Sequence, residues 1–193
     1  MHSRIAEALD YLDTERADLQ AALEMVPSEL RERAPAPDRW SVAQVLQHLT
    51  LIENRIVPLI RKLVTGARAA GLGPELQTSS ILNTRHAAKI ADRSFRVTAP
   101  EETVPPSDVS AAVAWKALEE SRKALREAAA SGEGLALSEV KYPHPVLGEI
   151  NLYQWILFVG SHEVRHTAQV REIAEQFTSA STSASATNQD RNN

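Results

Sequence analysis

The first pattern in the chain is a set of apolar residues near the N-terminus that recur three or four positions apart. Only Arg16 interrupts the set, and Pro27 follows it. This spacing is typical of one buried helix face. The sequence therefore predicts a first helix whose buried residues are Ile5, Leu9, Leu12, Leu19, Leu23 and Val26.

A second apolar stripe follows a proline-containing loop at 34–38. Ser41 stands where an N-cap is expected, and Pro58 lies inside the periodic pattern. Because proline cannot donate a helix hydrogen bond, we expect a kink or break at Pro58. The predicted buried face comprises Val42, Val45, Leu46, Leu49, Ile52 and Ile56, and beyond the proline Leu59, Ile60 and Leu63.

The pattern weakens between Thr65 and Pro106, where only 81–91 predicts a short helix. A third helix follows, with Ser107 or Asp108 as its expected N-cap. Its predicted face is Ala111, Trp115, Leu118 and Leu125, and it ends at Gly132 and Gly134.

The fourth helix is predicted to begin at Asn151, which forms a capping-box pattern with Gln154, and to run to about Phe177. Residues 178–193 are almost devoid of apolar side chains, so we expect a mobile, dispensable tail. No strand signal is convincing. The sequence therefore predicts an all-α, four-helix bundle domain over 1–177.

Composition limits the function classes. The chain has 193 residues, which suits one domain, and its net charge of -4 disfavours nucleic-acid binding. It has no apolar run of membrane-spanning length, and Glu7, Asp10 and Asp13 stand where a signal peptide would be apolar. We expect a cytoplasmic protein without membrane association. With no cysteine, any thiol chemistry requires a substrate thiol.

Three polar residues interrupt the predicted buried line of the fourth helix. The line contains Leu152, Trp155 and Val159, then His162, His166 and Gln169, and then Ile173. Burying each unsatisfied polar group costs about 1 to 3 kcal/mol, so these side chains need partners. A metal ion is one such partner.

The histidine spacing fits metal binding. Residues four apart on a helix are separated by about 6 Å in rise and about 40° in angle, so His162 and His166 can chelate one ion. His48 lies at the edge of the buried face of the second helix and can meet this pair across the bundle. Three imidazoles leave a coordination position open for water or substrate, as catalytic sites do.

Other interpretations of these residues remain open. The histidine pair can instead contact carboxylates such as Glu53 or Glu163. Gln44 and Gln169 are expected to hydrogen-bond metal ligands rather than bind metal themselves. His2, His86 and His144 are interpreted as surface or loop residues, and Arg165 and Arg171 as solvated or paired with Glu172 or Glu175.

The segment from His162 to His166 also matches the H-E-x-x-H pattern of zinc metalloproteases, in which the glutamate is the general base. The metzincin extension fails, because Gln169 replaces a glycine and Glu172 replaces the third histidine. Too little chain follows to supply another ligand helix. Glu163 can therefore transfer protons, face solvent or support a ligand.

Several segments together resemble the DinB superfamily. They are 40–49, 144–148, 154–155 and 162–169, and the segments 85–106, which includes Arg93, Arg96, Ala99 and Pro100, and 120–122 are similar to its looser DinB-like, YfiT-like consensus. The resemblance implies a four-helix bundle, often dimeric, whose metal ligands would be His48, His162 and His166. Related members resemble metal-dependent enzymes that transfer low-molecular-weight thiols or use them as cofactors.

Two functions follow from the histidines and the resemblance. The first is a divalent-metal-dependent S-transferase or hydrolase, in which the ion activates a thiol or water. Gln44, Glu163 and Gln169 are its candidate catalytic residues, acting on a small-molecule substrate, and 66–106 would shape the substrate entrance. The alternative is a non-catalytic metal-binding stress-response protein. Imidazole ligands suit several metals, of which zinc or nickel is expected.

Overall fold

The computed structural model describes residues 1–82, 90, 103–106 and 109–189, with side chains up to residue 179. The predicted helix over 81–91 falls almost entirely outside these residues. His86, Ser107 and Asp108 also lie outside them.

Four long helices form the described part of the chain, which confirms the predicted helical class. α1 packs along α4, α2 packs along α3, and α2 also contacts α4. A 3-10 turn at Ser28–Leu30 follows the first helix. The helices are α1 (Ser3–Glu24), α2 (Val42–Ala69), α3 (Ala111–Ala130) and α4 (Leu152–Gln189), and a hairpin of β1 (Lys141–His144) and β2 (Gly148–Asn151) precedes α4.

The apolar core consists of two clusters, one at each end of the bundle. The first includes Leu12 of α1 and Ile60 of α2, and the second includes Leu19 of α1 and Leu46 of α2. All the residues predicted to be buried in the first helix are buried. A band of charged and polar side chains, which includes Arg16, separates the two clusters. Glu163, one of the functional candidates, belongs to this band, and His162 directly precedes it in the chain.

The start of α2 is fixed as predicted. The Ser41 hydroxyl accepts the Gln44 backbone N–H, and Gln44 Oε1 accepts the Ser41 N–H, so the two residues form a capping box. Of the kink or break expected at Pro58, the break is absent, because α2 continues through this residue to Ala69, and the kink stays a prediction. Apolar contacts on either side of Pro58 offset the lost hydrogen bond to the Asn54 carbonyl.

The predicted N-cap of the third helix is wrong. The helix begins at Ala111, and the Ser110 hydroxyl accepts the Val113 N–H. Ser110 therefore has the role expected of Ser107 or Asp108. All three residues have side chains that suit an N-cap, so composition alone did not distinguish them.

The two-stranded hairpin was not predicted. Its antiparallel strands place Tyr142 opposite Ile150, and Gly148 occupies the turn side with a φ of 75°. Each strand has only four residues, and Pro143 argues against strand structure in a sequence pattern. The Trp155 indole N–H donates to the Tyr142 carbonyl at 3.2 Å, which holds the hairpin against the start of α4.

The fourth helix starts with the predicted capping box between Asn151 and Gln154, but it ends later than expected. Its backbone remains helical to Gln189 rather than ending near Phe177. Extending an existing helix requires no new nucleus, so alanine, serine and threonine suffice to continue it. Whether the segment is dispensable stays a prediction.

The helices α1 and α4 approach closely at a glycine. A Cβ atom at Gly160 would overlap the ring of Tyr11, so only glycine permits this contact without movement. None of the helices in the described part of the chain combines the length and apolarity that crossing a bilayer requires.

Candidate metal centre

Three histidine side chains from α2 and α4 converge. His162 Nε2 lies 3.3 Å from His48 Nε2 and 3.2 Å from His166 Nε2. One nitrogen from each of the three rings lies within 4.8 Å of the other two. The structure therefore brings together the three residues that the sequence predicted as metal ligands.

The outer nitrogens of two of these rings have oxygen partners. His48 Nδ1 lies 2.8 Å from the Thr103 carbonyl, and His166 Nδ1 lies 2.9 Å from Gln169 Oε1. Because both oxygens are acceptors, each Nδ1 carries the proton and donates it. The Nε2 atoms of His48 and His166 consequently present lone pairs, which is the tautomer that metal binding needs.

The surroundings favour neutral imidazoles. Burial lowers the pKa of His48, although its bond to the Thr103 carbonyl acts in the opposite direction. The pKa of His162 falls well below its ordinary value because of burial, and then because of charge repulsion from His166 and His48. Neutral rings are the form that binds a metal cation.

The spacing fits a single ion. Two ligands at about 2.1 Å from a tetrahedral metal are themselves separated by about 3.4 Å. The two nitrogen separations to His162 Nε2 are 3.3 and 3.2 Å. Two of the three converging nitrogens are lone-pair acceptors, and one cation among them would satisfy all three at once.

Aromatic rings flank the histidines. The Trp40 ring lies 4.9 Å from the His48 ring and stacks on His166 at 6.4 Å between centroids. Phe158 stacks on the third ring, that of His162, at 5.7 Å between centroids. Trp40, Phe158 and His162 are each half-buried, so the cluster is not sealed from the surface.

His144 is more buried than the sequence predicted. The surface or loop interpretation is wrong, because His144 is the last residue of strand β1 and its ring is only 6% exposed, packed against Trp155 and Phe158. Its Nδ1 accepts the backbone N–H groups of Val146 and Leu147. The sequence signal was the segment 144–148, which entered only through the family resemblance.

The carboxylates of Glu53 and Glu163 contact arginines rather than histidines. Arg16 and Arg122 each pair with both of them, so the alternative in which these carboxylates partner the histidine pair is wrong. Glu163 is 1% exposed, which also excludes the solvated interpretation. Its position on the core line between Ile156 and Val170 was the signal that could have indicated this.

The remaining predicted residues have mixed outcomes. Gln169 accepts the proton of a metal-ligand candidate, as expected, whereas the Gln44 side-chain oxygen caps α2. Arg171 pairs with Asp18 of α1 at 2.5 Å and not with Glu172 or Glu175. Any catalytic role of Gln44, Glu163 or Gln169 stays a prediction.

Fold and site together define a helical-bundle protein with a three-histidine cluster that can hold a metal ion. A model of the DinB superfamily matches residues 11–170, and the chain belongs to this superfamily. It is 29% identical over 156 residues to "Uncharacterized protein YuaE" of Bacillus subtilis (strain 168), covering 80% of this chain and 90% of that protein. No solved structure gave a significant match.

Proposed function

We propose that this protein is a divalent-metal-dependent enzyme that acts on a small molecule, as an S-transferase with a low-molecular-weight thiol or as a hydrolase. His48, His162 and His166 would hold the ion. The observation that carries the proposal is the approach of the three Nε2 atoms, at 3.3 and 3.2 Å from the central one. Membership of the DinB superfamily supports it.

The donor set suits zinc or nickel. Both ions accept neutral imidazoles, and the Thr103 carbonyl and the Gln169 amide hold two of the rings in the required tautomer. Three protein ligands leave at least one position for water or substrate. When bound, such an ion lowers the pKa of a coordinated water or thiol and so provides a nucleophile at neutral pH.

The side chains around the histidines would orient the substrate and give it a partly apolar surface. Trp40 packs on His48 and Phe158 stacks on His162, and both rings would contact an apolar part of the substrate. With no cysteine in the chain, a reacting thiol would come from a second substrate. Gln169 would act through its bond to His166 rather than on the reacting atoms.

The metal-binding part can be tested directly. The protein is purified without chelator and analysed for bound metals, and zinc or nickel is then added to stripped protein during thermal denaturation. Free metal at about 100 times its Kd should stabilise the fold by about 2.7 kcal/mol. The His162→Ala variant should lose this response, whereas the control His2→Asn, at a histidine that caps α1, should keep it.

The catalytic part needs a substrate screen. Electrophiles are offered with several small thiols, and esters and amides are offered with water. Turnover that requires metal and disappears in His162→Ala would support the enzyme. Bound metal with no turnover would favour a non-catalytic metal-binding stress-response protein, a function that fits the deep burial of His48 and His166 at 4% and 7% exposure. A wild-type chain that binds no divalent metal would contradict both.

A further inference from the structure

Four charged side chains, one from each helix, form a layer across the bundle. They are Arg16 of α1, Glu53 of α2, Arg122 of α3 and Glu163 of α4. We call them the charged layer. The last three are 2%, 5% and 1% exposed, and the two positive charges match the two negative ones. The layer lies between the two apolar clusters of the core.

Each arginine bridges both carboxylates. Arg16 donates to Glu163 Oε1 at 2.5 Å and to Glu53 Oε1 at 3.1 Å. Arg122 donates to Glu53 Oε1 at 2.7 Å and also to Glu163 Oε2. These contacts close a ring of ion pairs, in which both oxygens of Glu163 accept from guanidinium groups.

Backbone contacts fix the ring to the helices. Arg122 donates to the Leu12 carbonyl of α1 at 2.6 Å, and Arg16 donates to the Leu118 carbonyl of α3 at 3.1 Å. The Ser121 hydroxyl donates to Glu53 Oε2 at 2.8 Å. The arginines therefore have defined positions, and they set where the two carboxylates must lie.

The two carboxylates lie close in sequence to the proposed metal ligands, so their fixed positions also constrain the histidines. Glu163 directly follows His162 on α4, and Glu53 comes five residues after His48 on α2, a rise of about 7.5 Å. A helix rotation of about 20° moves a surface atom by about 2 Å, whereas ligand distances tolerate only about 0.2 Å. Small movements of α4 against α2 would therefore disrupt the histidine cluster.

We infer that Glu163 is a positioning residue, which through Arg16 and Arg122 holds the turn of α4 that carries His162 and His166 against the turn of α2 that carries His48. The glutamate of this H-E-x-x-H sequence thus sets ligand geometry instead of serving as a general base. The inference rests on the metal-binding part of the proposed function.

The experiment uses two variants and a stability control. Zn²⁺ affinity is measured by chelator competition, and the visible absorption of bound Co²⁺ reports ligand geometry. Glu163→Gln and the milder Arg16→Lys should each weaken Zn²⁺ binding, by about tenfold for Glu163→Gln, and alter the Co²⁺ bands. The control, Ile60→Ala, changes a core residue about 18 Å along α2 from His48 and should lower stability without changing either readout.

The possible results are distinct. If both charged-layer variants fold and show wild-type Zn²⁺ affinity and Co²⁺ bands, the inference is wrong, even if turnover is lost. If Glu163→Gln does not fold, Arg16→Lys alone decides by the same two readouts. If Ile60→Ala weakens Zn²⁺ binding equally, the effect is general destabilisation and the inference fails. A wild-type chain that binds neither metal overturns the proposed function first.

Discussion

The Nδ1 atom of His166 lies 2.9 Å from Oε1 of Gln169, one helical turn further along α4. This bond makes Nδ1 the protonated nitrogen and turns the lone pair of Nε2 toward His162, whose own Nε2 is 3.2 Å away. A residue outside the ligand set therefore determines which nitrogen of His166 can bind a metal.

Removing this acceptor should weaken metal binding. In Gln169→Leu, the imidazole loses its fixed tautomer and orientation, and we expect Zn²⁺ affinity to fall about tenfold. The matched control is Gln176→Leu, at an exposed position of the same helix. Chelator competition measures both variants, and equal affinities would show that the Gln169 amide has no such role.

The charged layer should be sensitive to losing a single partner. Arg122→Met leaves two buried carboxylates with one guanidinium, and we expect the free energy of unfolding to fall by about 3 to 5 kcal/mol. Arg126→Met is the control one turn later on α3. It breaks a surface pair with Asp13, whose side chain is 54% exposed, and should change stability by about 1 kcal/mol or less. Urea denaturation of both variants measures these changes in the free energy of unfolding, and equal changes would contradict the prediction.

The histidine cluster should make the metal-free protein acid-sensitive. Burial lowers the pKa of His48 and, more strongly, that of His162. In the unfolded chain the histidines have ordinary pKa values near 6.5, so below that pH it binds more protons than the folded chain does. The stability that the neutral rings contribute is therefore fully present above about pH 6.5 and decreases below it.

The expected slope is at most about 1.4 kcal/mol per pH unit for each histidine that stays neutral. It can be measured by urea denaturation with chelator between about pH 7.5 and about pH 5.5. His48→Gln removes one titrating ring and should flatten the dependence. Stability that does not change over this range would contradict the expectation.

The buried hydroxyl of Tyr153 predicts an effect at alkaline pH. Burial raises its pKa to about 12, helped by the Glu75 carboxylate, and among the described residues the oxygen has no hydrogen-bond partner. An unfolded tyrosine ionises near 10, so the stability that this residue contributes is present below pH 10 and lost as the pH rises toward 12.

Tyr153→Phe should therefore equal the wild type at neutral pH, or exceed it by about 1 kcal/mol, and should lose less stability above about pH 10. Tyr142→Phe changes a tyrosine that is 38% exposed and serves as the control. Denaturation curves at neutral and alkaline pH provide the comparison. A Tyr153→Phe variant that is clearly less stable at neutral pH would indicate that the hydroxyl has a partner.

The sequence predicted the features that depend on helical periodicity. The spacing of Leu19 and Leu23 located a buried face, and the spacing of His162 and His166 placed two candidate ligands together. His48 was harder to predict, because its distance to His162 depends on how α2 packs against α4. Periodicity gave the face on which each histidine lies, and packing brought the two faces together.

Other features depend on contacts between distant parts of the chain. Two lines of α4 face the bundle, one through the half-buried His162 and one through the buried Glu163, and helical spacing alone does not show which is buried more deeply. Arg171 has glutamates nearby on its own helix, yet it pairs with Asp18, 153 residues earlier. Local spacing cannot predict such partners, since several acceptors satisfy it equally.

The capping box at Asn151 and Gln154 gives α4 a fixed starting point. Each inserted or deleted residue between this cap and His162 would turn the histidines by about 100° about the helix axis. A single insertion would therefore aim both rings away from His48 without changing any ligand. The number of residues between the cap and the first histidine therefore determines the direction in which the rings of the candidate metal centre point.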